Sequence, residues 1–168
     1  IMADLLTLEE KTGSIAGQTV AWVGDANNVC FSWMQAAKLF GFTFRLACPQ
    51  ELAPRAAMLE HFSPAVECLD SPEQAVESAD CVVTDTWISM GQNDIDRRRY
   101  LLAPYQVTNS LMALAKPGAI FQHCLPATRG QEVTENVLDG PQSVVWDEAE
   151  NRLHVQKAIL CWCLEAAG

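Results

Sequence analysis

Hydrophobic and polar positions along the chain alternate between two spacings. From Ala3 to Thr12, Leu5, Leu6 and Leu8 are set against Glu9, Glu10 and Lys11, a helical pattern that Gly13 closes as a C-cap. A second helical face runs over Val29–Phe40 through Val29, Trp33, Ala36, Ala37 and Phe40, and stops at Gly41. Helices are also predicted over Arg55–Phe62, from the Ser71-Pro72-Glu73 start, over Thr108–Lys116 before Pro117-Gly118, over Val133–Leu138, and over Asp147–Glu165 with Leu153, Ile159, Leu160 and Leu164 apolar. Between them lie short apolar, β-rich runs: Gln18–Val23, Phe42–Ala47, Val66–Leu69, Cys81–Thr84, Ala119–His123 and Ser143–Val145. The stretch Asp94–Arg99 has Ile95 as its single apolar residue and reads as a solvated loop or helix start.

Strands alternating with helices predict an α/β fold with a mainly parallel sheet covered on both faces. Right-handed crossovers make this a doubly wound, three-layer αβα sandwich. No internal repeat, low-complexity stretch or linker interrupts the pattern, and 168 residues suit one domain.

Composition narrows the partners. With 49% hydrophobic residues the chain is globular, and a formal net charge of -10 repels phosphate backbones, which argues against nucleic acid. No apolar run approaches the ~20 residues that cross a bilayer, so no membrane partner is expected. The first residues lack a basic region followed by an apolar stretch, so they do not read as a signal peptide. Seven irregularly spaced cysteines, most inside apolar runs, fit a reducing, cytoplasmic chain without a disulfide framework. Cys161-Trp162-Cys163 falls on a helix, where i and i+2 diverge, and reads as two packing cysteines rather than metal ligands.

Three loops follow predicted strands, at the sheet edge where ligands bind in such folds. The first, Val23-Gly24-Asp25-Ala26-Asn27-Asn28-Val29, keeps only the first glycine of a dinucleotide-binding fingerprint. One asparagine can cap the helix; the other is spare, and an amide beside free helix N–H groups can receive a carboxylate. The second, Asp85-Thr86-Trp87-Ile88-Ser89-Met90-Gly91, can be a capped turn or a ligand loop. In the second case Asp85 takes an ammonium, and Ser89 with Asn28 takes a carboxylate, the two ends of an amino-acid head group. The third, Phe121-Gln122-His123-Cys124-Leu125-Pro126-Ala127-Thr128-Arg129-Gly130, ends a strand in a thiol. Neighbouring strand residues point to opposite faces, which argues against His123 and Cys124 forming a nucleophile pair unless the strand has already turned, and leaves Cys124 either packed or functional.

Together the segments Gly24-Asp25-x-Asn27-Asn28, Asp85-Thr86-Trp87-Ile88-Ser89-Met90-Gly91 and His123-Cys124-Leu125-Pro126 resemble the amino-acid-binding half of the ornithine carbamoyltransferases, within the aspartate/ornithine carbamoyltransferase family. Ala3–Thr7, Tyr105-Gln106-Val107 and Glu148–Arg152 extend the likeness over the chain, and Arg129-Gly130 with Asp147–Arg152 look like the anabolic bacterial branch of arginine biosynthesis. The resemblance implies that Asn28 and Ser89 bind the ornithine carboxylate, Asp85 holds the α-ammonium and the Met90 backbone supports the head group. It implies that Cys124 lies against the δ-amine, that Cys124 and Leu125 hold the carbamoyl group through main-chain contacts, and that Arg152 reaches toward carbamoyl phosphate. The catalytic pair would be Cys124 and Asp85. A cis Leu125–Pro126 bond is implied too, and neither cofactor nor metal.

The departure from the family pattern is large. The Ser-Thr-Arg-Thr segment of the phosphate-binding half and the His-Pro-x-Gln segment are absent, and basic residues are scarce apart from Arg129, Arg152 and the solvated run Arg97-Arg98-Arg99. Residues 1–168 are therefore expected to form the ornithine-binding domain alone, without the carbamoyl-phosphate-binding domain, inactive in isolation and a weak binder of ornithine. The alternatives are a free-standing amino-acid-binding or regulatory module, or a sister carbamoyltransferase for acetylornithine or putrescine; Asp85 favours the free α-amine. The apolar residues Ile159, Leu160, Trp162 and Leu164 on the last helix predict self-association into a homo-oligomer.

Overall fold

The computed structural model describes residues 1–88 and 93–166. Helix α1 (Met2–Thr12) ends on Gly13, whose φ of 81° closes the helix in the left-handed region. Strand β1 (Thr19–Val23), helix α2 (Asn28–Phe40), strand β2 (Thr43–Ala47), helix α3 (Ala56–Phe62) and strand β3 (Val66–Leu69) build one half of the domain. Helix α4 (Pro72–Val76), strand β4 (Cys81–Val83), helices α5 (Ile95–Leu102) and α6 (Asn109–Met112), strand β5 (Ile120–Gln122), helix α7 (Glu135–Leu138) and helix α8 (Val145–Ala166) complete it.

All strand pairs are parallel, in the order β3-β2-β1-β4-β5. The chain winds outward from β1 in one direction and then from β4 in the other, so the topological switch lies between β1 and β4. Alternating residues of β1 feed two cores. Val20 and Trp22 join Leu8, Trp33, Met34, Phe44 and Leu46 on one face. Ala21 and Val23 join Val76, Val82, Leu111, Met112, Phe121 and Val145 on the other. Burial on both faces explains why the strands read as continuous apolar runs. The doubly wound αβα sandwich is thus present as the pattern predicts.

Some local expectations are corrected. Ser143–Val145 is not a strand: it makes a single bridge, Phe121 to Ser143, before α8 begins at Val145. The acidic first turn of α8, Asp147 and Glu148, suits a helix start and takes over at once. Helix α6 is short, with Thr108 Oγ1 accepting from Leu111 N at 3.2 Å. Asp94–Arg99 lies mostly within α5, and Arg98 is not solvated: its side chain is 14% exposed and pairs with Asp25. Cys161 and Cys163 do not pack; both are exposed, as is Cys68 on the edge strand β3, whereas Cys30, Cys48 and Cys81 are buried. Among the described residues no helix is long and apolar enough to cross a membrane.

Helix α8 packs its first half against α1. Asn151 donates to Thr7 Oγ1 (2.9 Å) and Glu10 Oε2 (2.8 Å), and Lys11 pairs with Asp147 at 3.1 Å. Its second half carries Leu160, Trp162 and Leu164 at 64%, 68% and 75% exposure.

Candidate functional site

The loops after β1, β4 and β5 meet at the switch point. Gly24 has a φ of 134°, and a Cβ placed there would meet Thr84 Oγ1 at 3.3 Å, so the position needs glycine twice over. Thr84 Oγ1 in turn donates to Val23 O at 2.6 Å, tying β4 to the end of β1.

Asn27, not Asn28, caps α2. Its Oδ1 accepts from Val29 N (2.9 Å) and Cys30 N (3.1 Å), which leaves its amide nitrogen to donate to Asp85 Oδ2 at 2.7 Å. Asn28 is the first helical residue and stays exposed beside that junction. Asp85 Oδ1 accepts from Thr86 N at 2.7 Å and from the Cys124 thiol at 3.4 Å. One carboxylate therefore gathers all three loops. The family resemblance implies Asp85, Asn28 and Cys124 at the site and gives no role to Asn27, whose only signal is a second asparagine beyond what capping needs.

Arg98 reinforces the same junction from α5. It ion-pairs with Asp25 of the first loop, and its Nε donates to Trp87 O of the second at 3.1 Å. Burial raises the Asp25 pKa above the ordinary carboxylate value, with the Arg98 guanidinium pulling the other way.

His123 and Cys124 lie beyond the end of β5, where the chain has already turned, so the alternation that would separate them does not apply. Donor atoms of Asp85, His123 and Cys124 all lie within 4.8 Å of one another. A nucleophile pair is still excluded, for a different reason. His123 Nδ1 accepts from Leu125 N at 2.9 Å, so its lone pair is taken, and Nε2 faces Glu132 Oε1 at 3.5 Å. With Nδ1 accepting, the neutral ring carries its proton on Nε2, which makes no hydrogen bond among the described residues, so neither nitrogen takes the thiol proton. The thiol itself is pushed up to about 12 by burial and by the neighbouring Asp85 charge, so it is protonated at neutral pH.

Leu125 adopts a φ of 52° and is followed by a cis bond to Pro126, the geometry expected of this turn. A cavity of about 680 Å³ opens beside it, lined by Cys124, Leu125, Arg129, Trp146 and Arg152 among others. A second, of about 410 Å³, lies on the other side of Leu125 and Arg152, against Asp4 and Ile159. Arg152 is exposed between the two and has no acidic partner among the described residues. Arg129 is committed elsewhere, with Nε and an Nη each donating to Asp139 at 2.8 Å. Ser89 and Met90 lie outside the described residues.

Behind the third loop, His123 N donates to Glu148 Oε2 at 3.1 Å. Burial and the nearby Asp4 carboxylate raise Glu148 to about 9, so it keeps its proton and shares it with Asp4. The pattern along the chain did not mark Glu132, Glu148 or Asp4 as part of this support.

Known proteins resemble the chain over nearly its whole length. The family model for "Aspartate/ornithine carbamoyltransferase, Asp/Orn binding domain" matches residues 16–163. An ornithine carbamoyltransferase of Rhodopseudomonas palustris (strain BisA53) is 57% identical over 171 residues, covering 100% of this chain and 55% of that protein. One from Caulobacter vibrioides is 54% identical over 171 residues, with the same coverage of both proteins. The solved ornithine carbamoyltransferase from Pyrococcus furiosus superposes with a TM-score of 0.88 at 44% identity, over 95% of this chain and 53% of that one. That from Burkholderia thailandensis gives 0.85 at 46%, over 95% and 51%. The chain spans about half the length of the relatives it matches.

Proposed function

The chain belongs to the aspartate/ornithine carbamoyltransferase family, and on that premise we propose that it is the ornithine-binding half of an ornithine carbamoyltransferase. The observation that carries the proposal is the Asp85 carboxylate, held by Asn27, Thr86 and Cys124 where three loops converge. A carboxylate fixed in this way is a preorganised receptor for an ammonium group. In this reading Asp85 holds the α-ammonium of ornithine, while Asn28 and Ser89 take its carboxylate and the Met90 backbone supports the head group. The δ-amine then reaches Cys124, beside the cavity lined by Leu125 and Arg152.

The reaction requires a neutral amine. A lysine-like amine has a pKa near 10.4, so only a few molecules in about ten thousand are neutral at pH 7. A thiolate beside it would hold the ammonium form, whereas the protonated Cys124 thiol does not. The δ-nitrogen attacks the carbamoyl carbon of carbamoyl phosphate, the C–O bond to phosphate breaks with its electron pair leaving on phosphate, and the amine proton is lost. Citrulline is the product, placing the enzyme in arginine biosynthesis in the cytoplasm. Main-chain groups at Cys124 and Leu125 hold the carbamoyl group, and Arg152 faces the phosphate, whose other ligands belong to a phosphate-binding half.

Calorimetric titration tests this directly. The 168-residue chain binds ornithine weakly and Nα-acetylornithine or putrescine not measurably, and ornithine binding tightens when a relative's phosphate-binding domain and carbamoyl phosphate are added. Equal affinity for ornithine and acetylornithine sinks the Asp85 assignment, and turnover by the chain alone sinks the half-enzyme assignment. We also expect the exposed apolar side of α8 to drive self-association of the isolated chain, which light scattering reads as a mass above 18.5 kDa.

A further inference from the structure

Glu132 is fully buried, with 0% side-chain exposure, yet no lysine or arginine pairs with it among the described residues. Burying a carboxylate costs several kcal/mol unless donors surround it. Its Oε2 has no hydrogen-bond partner among the described residues, and its Oε1 serves the third loop alone. Thr128 N donates to Oε1, and His123 Nε2 lies 3.5 Å from the same oxygen without forming a hydrogen bond.

The two contacts bracket the turn. Because Leu125 N donates to His123 Nδ1, the ring proton sits on Nε2, the ring nitrogen that lies against Glu132. Glu132 thus holds the end of the turn through the Thr128 amide and lies against the imidazole at its start, without a hydrogen bond to it. Between these anchors lies Leu125, a non-glycine residue at a φ of 52°, a conformation that persists only where the surroundings over-determine it. The backbone around Glu132 is itself pinned, with Val107 N donating to Glu132 O at 2.9 Å and Gly130 N to Val133 O at 2.8 Å.

We propose that Glu132 is a positioning residue for the transfer site, fixing the Cys124–Ala127 turn through His123 and Thr128. Its functional meaning rests on the ornithine carbamoyltransferase reading, since that reading places the δ-amine and the carbamoyl group on this turn. Its geometric content does not, because the placement of the Cys124 thiol against Asp85 reports on the turn without any substrate.

The test is the rate of Cys124 carbamidomethylation by iodoacetamide as a function of pH, read by mass spectrometry on the tryptic peptide Tyr100–Arg129, in which Cys124 is the sole cysteine. In the wild-type chain Cys124 reacts slowly at pH 8. Glu132→Ala frees the turn, speeds that reaction at least 10-fold and moves its pH profile to lower pH. Glu132→Gln stays near wild type, because the amide oxygen still accepts from Thr128 N. Val66→Ala, a core truncation in β3, lowers urea stability without changing the Cys124 profile. If Glu132→Ala does not fold, His123→Gln takes its place and releases Cys124 in the same way. A wild-type Cys124 rate in Glu132→Ala, or in His123→Gln where that variant stands in, overturns the proposal. So does equal acceleration in Val66→Ala, or failure of Glu132→Gln to restore the slow rate. Ornithine titration of the wild-type chain separates the two levels: no binding there removes the functional reading and leaves the alkylation result to judge Glu132 by itself.

Discussion

Replacing Arg98 by methionine keeps the apolar stem and removes the guanidinium that pairs with Asp25 and donates to Trp87 O. The pair is 14% and 12% exposed, buried enough that the charge left behind is not simply hydrated. Breaking a buried pair by removing one partner costs about 3–5 kcal/mol. Asp25 can escape by taking a proton, which from an ordinary value of 3.8 costs roughly 4 kcal/mol at pH 7 and so caps the penalty. We expect Arg98→Met to lose about 2–4 kcal/mol, a large share of the roughly 5–15 kcal/mol that holds a domain together. The sign with pH follows from the carboxyl. Its folded-state pKa is already raised by burial, and loss of Arg98 raises it further. An acid with a raised folded pKa destabilises above its unfolded value and stops doing so once it is protonated in both states. The deficit of Arg98→Met relative to wild type therefore shrinks as pH falls from 7 toward 4. Urea unfolding followed by tryptophan fluorescence at pH 7 and pH 5 measures it. The double variant Asp25→Asn/Arg98→Met should recover at least half of the loss. A deficit under about 0.5 kcal/mol, a deficit independent of pH, or a double variant as unstable as Arg98→Met would refute the buried-pair reasoning.

Asp85→Asn removes the charge proposed to hold the α-ammonium; at about 2–3 kcal/mol for a hydrogen bond to a charged group, ornithine binding weakens roughly 30- to 150-fold in calorimetry. The same change lowers the Cys124 pKa from about 12, since the Asp85 charge is one cause of its elevation, and brings its alkylation to lower pH. Glu148, at about 9 in the folded chain, is protonated where an unfolded glutamate is not, so wild-type stability falls as pH rises from 4.5 toward 9. Glu148→Gln keeps both hydrogen bonds and removes that slope, of at most about 1.4 kcal/mol per pH unit; parallel urea profiles of the two proteins at pH 6 and pH 8 count against the protonated-carboxyl assignment. Cys68, drawn down to about 7 by a hydrogen bond from Cys48, is exposed and alkylates well ahead of Cys124 at pH 7.5; Cys48→Ala returns it toward the ordinary 9.0 and slows it several-fold without closing the gap to Cys124, and an unchanged Cys68 rate in that variant contradicts the pairing.

What the sequence makes legible here is whatever repeats along one element; what it hides is whatever is shared between two. The β1–α2 unit could be read because Val20–Val23 are apolar on both faces and Gly41 closes the helix, signals contained within a few residues. Arg98 could not be placed, because a run of three arginines with one apolar neighbour looks the same whether one side chain turns inward or not. Its burial is decided by Asp25, 73 residues away. Asn27 and Asn28 were equivalent as caps until Asp85, 58 residues on, chose between them by accepting the amide of Asn27. His123 and Cys124 were set apart by strand alternation, a rule that lapses once β5 stops at Gln122. For Arg98 and Asn27 the deciding partner comes from another loop at the switch between β1 and β4. The proposed role accounts for this: a receptor for a charged head group must be held from several sides, because a carboxylate fixed by one segment alone would relax toward water before a ligand arrived. The residues proposed for the chemistry, Asp85 and Cys124, are therefore marked by the family resemblance, whereas those that hold them, such as Asn27 and Arg98, emerge only in the fold.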